Sequence, residues 1–361
     1  MKARTTVAVG ATALLAGGLA VTAGPLAAQA GPHVRSAAPV ISVQKLVSDQ
    51  SGVAQLTDPD LVNAWGMAHP PGGPLWVSDN GTNVSTLYTG AVHGSPVQKA
   101  PLVVKIPGGA PTGQLYNPTS GFHVPGTGKP ALFVFAGEDG VVSAWNTDTQ
   151  PLTKAIRVAH ENQAVFKGIA FVRTKAGPRL LIANFHAGRI DVFNSAFHRI
   201  ATSRFRDQKL PAGYAPFNVA VFDHRVYVTY AKQDAAAEDD VPGAGHGFID
   251  VYTKHGKLVR RLVSRGALNS PWGMVIAPKT FGSLAGKLLV GNFGDGYIHA
   301  YGLHTGHPFG TLNDAMGYPV WIDGLWGLIR GDSAAGGRNA IWFSAGPADE
   351  SHGLLGVLRA S

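Results

Sequence analysis

The sequence predicts an all-β fold, a six-bladed β-propeller whose N-terminal strand completes the last blade. Three observations carry this. A unit of small-residue turn, short strand, polar turn and second strand recurs six times, near the roughly 40–50-residue period of propeller blades. A small residue recurs before the first strand's apolar pair, at Gly66, Gly121, Gly168, Asn218, Gly273 and Gly327, spaced 55, 47, 50, 55 and 54 residues apart. A shared backbone need for φ > 0 explains five glycines and one asparagine at this place. Finally, Ile41–Val47 precedes the first repeat and belongs to no other unit, while the last repeat reaches Ser361 without a fourth strand. Pairing the two would close the ring and cover a sheet edge.

Residues 1–30 read as a secretory signal peptide. Lys2 and Arg4 start it, Val7–Ala23 is an uncharged apolar run, and Ala28-Gln29-Ala30 is a small-x-small cleavage site. The expectation is a secreted, extracellular protein cleaved after Ala30. Residues 31–40 form a flexible leader, and 41–361 a single propeller domain. The second strands are expected at Leu75–Ser78, Ala131–Phe135, Leu180–Ala183, Val226–Tyr230, Leu288–Val290 and Ala340–Ser344. The third strands are expected at Val84–Tyr88, Val141–Trp145, Ile190–Phe193, Phe248–Tyr252, Tyr297–Tyr301 and Leu354–Leu358; most end in an aromatic that can plug the space between neighbouring sheets. Leu102–Ile106 and Leu258–Val263 read as outer strands. In the fourth repeat the usual tight turn becomes a long segment, 231–246, and long loops in compact domains are often functional. A degenerate seventh blade has room in 302–322.

Composition narrows the function classes. Of 361 residues, 45% are hydrophobic and 14% charged, with 47 glycines and 24 prolines, which suits a packed fold with many tight turns. The absence of cysteine rules out disulfides, thiolate metal sites and cysteine nucleophiles. The formal charge of +8 favours contact with anionic polymers or surfaces. No aromatic series interleaves the basic loops, so nucleic acid is not an expected partner. Nothing points to nucleotide, haem or flavin. Gly331-Asp332-Ser333-Ala334-Ala335 lacks the last glycine and the following helix of a nucleophile elbow. No further stretch is long and apolar enough to span a membrane, and a monomer is expected.

Sorting charges by turn gives an asymmetry. Turns between second and third strands carry Asp79, Glu138, Asp139, Asp234, Glu238, Asp239, Asp240, Asp295, Asp349 and Glu350, with Lys232 as their clear cation. Turns between first and second strands carry Lys129, Arg173, Lys175, Arg179, Arg225, Lys279, Lys287, Arg330 and Arg338 against Asp223 and Asp332. One mouth is therefore expected to be acidic and the other basic. Asn80, Asn184, His186, Gln233, Asp234, Asn292 and His352, with Lys232, are the candidate ligand-binding residues of the acidic mouth. Asp79, Glu138, Asp139, Asp295, Asp349 and Glu350 are its candidate metal ligands, since converging carboxylate and amide oxygens suit Ca2+ or another divalent cation. The competing reading is turn chemistry: Asn80-Gly81, Asp139-Gly140 and Asp295-Gly296 are favoured hairpin dipeptides. Trp65, Trp272 and Trp326 recur at one repeat position and read as blade-packing residues.

Leu180–Phe185 with Gly188–Phe193 resembles NHL and YVTN propeller repeats. Through Asn63–Met67, Val77–Tyr88, Ala136–Asn146, Tyr227–Asp240, Val290–Gly296 and Ala345–Gly356, the chain resembles an uncharacterised family of secreted bacterial β-propellers, known as conserved hypothetical proteins. The resemblance implies an exported propeller without an activity to carry over residue by residue. Related six-bladed propellers include metal-dependent lactonases and esterases that hold a divalent cation on the central axis. Two functions follow as expectations: a ligand- or ion-binding module taking a small molecule, peptide or cell-envelope polymer at the acidic mouth, or a divalent-metal-dependent extracellular hydrolase, with His186 or His352 as general base.

Overall fold

The computed structural model describes residues 39–361; the signal peptide and nearly all of the leader expected in 1–40 lie outside them. Among the described residues there are six sheets, antiparallel except where the short strand Leu56–Thr57 runs parallel beside Val47–Ser48, and two single turns of 3-10 helix, Asn80–Thr82 and Gly282–Leu284. Blade 1 comprises Ala64–Ala68, Leu75–Asp79, Val84–Gly90 and Val97–Lys99, with Val104–Lys105 beside it. Blade 2 comprises Pro111–Tyr116, Phe133–Gly137, Val141–Trp145 and Ile156–His160; blade 3, Phe166–Thr174, Gly177–Asn184, Arg189–Phe193 and Arg199–Ile200. Blade 4 comprises Tyr214–Phe222, Arg225–Lys232, Gly247–Thr253 and Leu258–Ser264; blade 5, Pro271–Ile276, Leu288–Asn292, Ile298–Tyr301 and Pro308–Thr311. Blade 6 takes Leu325–Arg330, Ile341–Ala345 and Leu354–Ala360 from the end of the chain and Ile41–Ser48 from its beginning. No seventh sheet forms from 302–322: Pro308–Thr311 is the outer strand of blade 5.

The ring closes as the unmatched strands predict. Ile41 faces Ala360 and Ser48 faces Leu354 in an antiparallel ladder. Past the ladder, Asp49 accepts from the Gly353 amide at 2.9 Å and pairs with His352 Nδ1 at 2.8 Å. The aromatic ends of the third strands fill the gaps between blades. Tyr88 packs between blades 6 and 1, Trp145 between 1 and 2, Phe193 between 2 and 3, Tyr252 between 3 and 4, and Tyr301 between 4 and 5. All are buried, and burying each such side chain is worth about 1.5–3 kcal/mol.

Every inner strand kinks at the recurring small residue, where its pairing with the second strand slips. The ring residue of blade 2 is Gly113, not Gly121. Gly121 lies in the long connection after the inner strand, beside Ser195. The reason for glycine also differs from the expectation. Gly66, Gly113, Gly168, Gly273 and Gly327 do not have positive φ. They are small because the next blade's backbone is too close: a Cβ on Gly113 would stand 2.8 Å from Lys167 O, one on Gly273 2.7 Å from Trp326 O, and one on Gly327 2.7 Å from Trp65 O. Asn218 replaces this approach with a hydrogen bond, donating Nδ2 to Trp272 O at 2.7 Å.

The positive φ falls elsewhere. Two residues before the kink-preceding residue, Asn63 (φ 49), Ala110 (φ 41), Ser270 (φ 47) and Gly324 (φ 61) turn the chain into blades 1, 2, 5 and 6. That left-handed turn aims Trp65, Trp272 and Trp326 at the axis. Trp65 stacks on Trp326 with centroids 3.5 Å apart, Phe293 also stacks on Trp326 at 3.9 Å, and Trp272 meets both tryptophans edge-on. With Phe185 and Phe217 they form an aromatic plug across the centre of the ring.

Candidate functional site

On one side of the plug lies a pocket of about 380 Å³ lined by Asn63, Trp65, Asn80, Glu138, Val165, Glu238, Asp239 and Glu350. Blade 3 contributes its floor charge, because Lys167 takes the position that tryptophan holds in blades 1, 5 and 6. Its side chain is 1% exposed, its Nζ is 2.5 Å from Glu138 Oε1 and 3.4 Å from Asp239 Oδ1, and it lies 5.1 Å from the centre of a Trp65 ring. Burial alone would push this ammonium down; the charges of Glu138 and Asp239 outweigh burial and hold it above the ordinary lysine range. It is a fixed cation.

Around it runs a chain of amides and carboxylates. Asn80 Nδ2 donates to Glu138 Oε2 at 3.0 Å, and Asn63 Nδ2 donates to Glu350 Oε1 at 3.0 Å and to Asn80 Oδ1 at 3.3 Å. Trp326 Nε1 donates to both Asn63 Oδ1 and Glu350 Oε1 at 3.2 Å. Burial pushes the Glu350 carboxyl up, and the Asn63 hydrogen bond and Lys167 pull it part of the way back. Both oxygens of Glu138 and Oε1 of Glu350 are thus engaged by N–H and ammonium donors. An axial divalent cation would compete with these donors and with the Lys167 charge.

The segment 231–246 is a folded arm. Asp234 Oδ1 accepts the Glu238 and Asp239 amides, Gln233 pairs with Asp240, Gln233 Nε2 reaches Phe185 O at 2.7 Å, and Gly243 N donates to Asn269 Oδ1 at 2.7 Å. The arm is stitched to blade 3 at one end and blade 5 at the other, which sets Glu238 and Asp239 at the pocket rim.

The candidate residues of the sequence separate accordingly. Asn80, Glu138 and Glu350 meet at the pocket. Asp234 and Gln233 shape the arm, with Lys232 at the end of the strand before it. Asp79 is fully buried within blade 1, accepting from the Thr86 amide and hydroxyl, and burial holds its carboxyl well above the usual range. Asn184 donates to Asp191 inside blade 3. Asp295 accepts from Asn292, Asn269 and the Tyr297 amide. Asp139 accepts the Val141 amide in its hairpin turn. His186 and Asp349 are exposed, and His352 belongs to the closing seam. Among the described residues no three His, Cys, Asp or Glu side chains form a metal-holding group. Lys167 and Asn63 were missed; the signal for Lys167 was a lysine in a slot that elsewhere holds tryptophan. Of the basic residues expected on the other mouth, Lys129, Lys175, Lys279, Lys287 and Arg338 fall in connections between first and second strands, whereas Arg173, Arg179, Arg225 and Arg330 lie within the strands that flank those connections.

No family model matches the chain. It is 34% identical over 328 residues to "Uncharacterized protein R648" of Acanthamoeba polyphaga mimivirus, spanning 88% of this chain and 79% of that protein. It is 32% identical over 336 residues to "Uncharacterized protein L690" of the same virus, spanning 88% and 85%. These relatives are viral, where the sequence resemblance pointed to a bacterial family. A solved protein of unknown function from Bacteroides thetaiotaomicron shares the fold, with a TM-score of 0.52 at 12% identity over 90% of this chain and 76% of that one. A virginiamycin B lyase from Staphylococcus aureus aligns with a TM-score of 0.49 at 12% identity, over 88% of this chain and 99% of the lyase. No helix among the described residues is long and apolar enough to cross a membrane.

Proposed function

The chain belongs to the family of the mimivirus proteins R648 and L690, and on that premise we propose that it is a binding propeller whose axial pocket takes a small cationic ligand, an amine or the side chain of a basic peptide. The observation that carries this reading is the charge of the pocket. Four carboxylates, Glu138, Glu238, Asp239 and Glu350, face a single ammonium, Lys167, in a chain whose formal charge is +8. Negative charge is thus concentrated where apolar walls, Trp65 and Val165, focus its field. A cation entering there meets carboxylates whose own counterion is already fixed. The rim supports contact with something larger: Asp323 caps the turn bearing Glu350 through the Ala348 amide, and the same connection displays Tyr318 and Trp321, 64% and 61% exposed. Export, read from residues 1–30, would place this pocket outside the cell, in reach of peptides and envelope polymers.

Calorimetric titration of the protein with spermidine tests the reading, with its neutral triacetylated analogue as control. Spermidine is expected to bind and the analogue not to. Glu350→Gln is expected to weaken binding by about tenfold, the worth of one charge-assisted contact. Because burial holds Glu350 above the ordinary carboxylate range, affinity should fall as pH drops through its titration. Equal heats from spermidine and its acetylated form would sink the proposal.

A further inference from the structure

The buried polar side-chain atoms without a hydrogen-bond partner include Asp240 Oδ2 on the arm and Ser270 Oγ, Asn292 Oδ1 and Trp272 Nε1 at blade 5. Three are oxygens, and they share one neighbourhood. Ser270 precedes the inner strand of blade 5, and its carbonyl accepts the amide of Phe293, the residue after Asn292, at 3.0 Å. Pro271 and Asn292 are register partners. The Ser270 amide donates to His246 O at 3.1 Å, so the arm ends against it. The Ser270 hydroxyl lies close enough to the Asp240 carboxyl to pull its pKa down against burial, though it falls short of full hydrogen-bond geometry. The Asn292 amide is oriented by its donors, since Nδ2 is held by Ala267 O at 2.8 Å and by Asp295 Oδ1 at 3.1 Å, which fixes Oδ1 on the other side. Ser270 and Asn292 are completely buried, and Ser270 also keeps a left-handed backbone without being glycine.

Leaving a buried oxygen unpartnered costs about 1–3 kcal/mol. Oxygens of three residues that adjoin in the fold, one of them a carboxylate, can be satisfied by a common partner, and a carboxylate, hydroxyl and amide oxygen together suit a hard cation. We propose that a hydrated cation of the Ca2+ class clamps the arm to blade 5 through Asp240 Oδ2, Ser270 Oγ and Asn292 Oδ1. Water completes the coordination and can accept from Trp272 Nε1. The site does not depend on the axial carboxylates.

Calorimetry and thermal unfolding of metal-stripped protein with added Ca2+ test this. Binding should raise the midpoint through linkage, and EDTA should reverse the rise. Ser270→Ala breaks no side-chain hydrogen bond in the structure, so it should fold, yet it should weaken Ca2+ binding by at least about tenfold; Asp240→Asn should abolish it. Glu350→Gln should leave it unchanged. Absence of binding up to about 10 mM Ca2+, above the range of weak extracellular sites, would mean that water alone fills the place and overturns the proposal. So would Ca2+ binding that Ser270→Ala and Asp240→Asn leave intact.

Discussion

Asn63 and Ser270 occupy the same place in two blades, two residues before the axial tryptophan, in the same left-handed conformation. Their surroundings differ completely. Asn63 spends its side chain on Asn80, Glu350 and Trp326, so this position is satisfied internally. The Ser270 hydroxyl has no hydrogen-bond partner, and neither do Asp240 Oδ2 on the arm or Asn292 Oδ1 and Trp272 Nε1 of the same blade. The repeat therefore supplies identical backbone positions, and the residue placed there decides whether a sector is satisfied internally or left open for something added. Asn63 itself is scaffold that holds the pocket carboxylate Glu350 in place, whereas Ser270 has bonding capacity to spare.

The comparison can be broken most severely at Lys167, the cation on which the closed sector rests. Lys167→Met removes one partner of a buried ion pair and should cost about 4 kcal/mol. A denaturant midpoint within error of wild type would mean that the pocket carboxylates need no internal counterion. The next largest effect is a contrast. Asn63→Ala strips partners from Glu350, Asn80 and Trp326 and forces alanine into a left-handed backbone, for about 3 kcal/mol, whereas Ser270→Ala should change stability by less than about 0.5 kcal/mol. Equal losses in chemical denaturation would erase the distinction between the sectors.

The third and smallest effect comes from a buried carboxylate outside both. Burial and the neighbouring Asp207 push Asp250 up to about 6, against the pull of Arg261. An acid whose folded pKa is raised binds its proton more tightly when folded, so its contribution to stability declines as pH rises from about 4 to 6 and stays low above that. Wild type should therefore lose about 2 kcal/mol relative to Asp250→Asn between pH 4 and 7. Parallel pH profiles of the two proteins would show that Asp250 ionises in the fold as easily as in the unfolded chain.

The fold was legible because propeller strands alternate with strong turn signals and because each repeat restates the same constraints. The third strand of blade 2, Val141–Trp145, matches its expected bounds, and the closing pair Ile41–Ser48 and Leu354–Ala360 followed from counting unmatched strands. Gly121 misled because a glycine next to an apolar residue in a connection looks like a glycine at a kink; only the approach of the next blade tells them apart, and that is a long-range fact. The site was less legible. Turn acids such as Asp139 and Asp295 look alike in sequence whether they cap their own hairpin or face the axis. Asp79, at a strand end, points into its blade, which strand parity alone did not settle. Lys167 was visible as a break in a pattern of aromatic residues, and it lies at the centre of the pocket's charge.

The seam in blade 6 also dictates an order of events. Ile41–Ser48 has no antiparallel partner until Leu354–Ala360 exists, so almost the whole chain separates the two edges that must meet. Contacts so remote form late and slowly, since the loop they close must be ordered first. A chain emerging N-terminus first therefore carries a bare strand edge through its entire synthesis or passage, open to pairing with other chains. The ring is complete only when its last few residues arrive, so a ribosome stalled short of residue 354 would leave five blades, a two-stranded hairpin and an unmatched N-terminal strand, rather than a slightly weakened propeller.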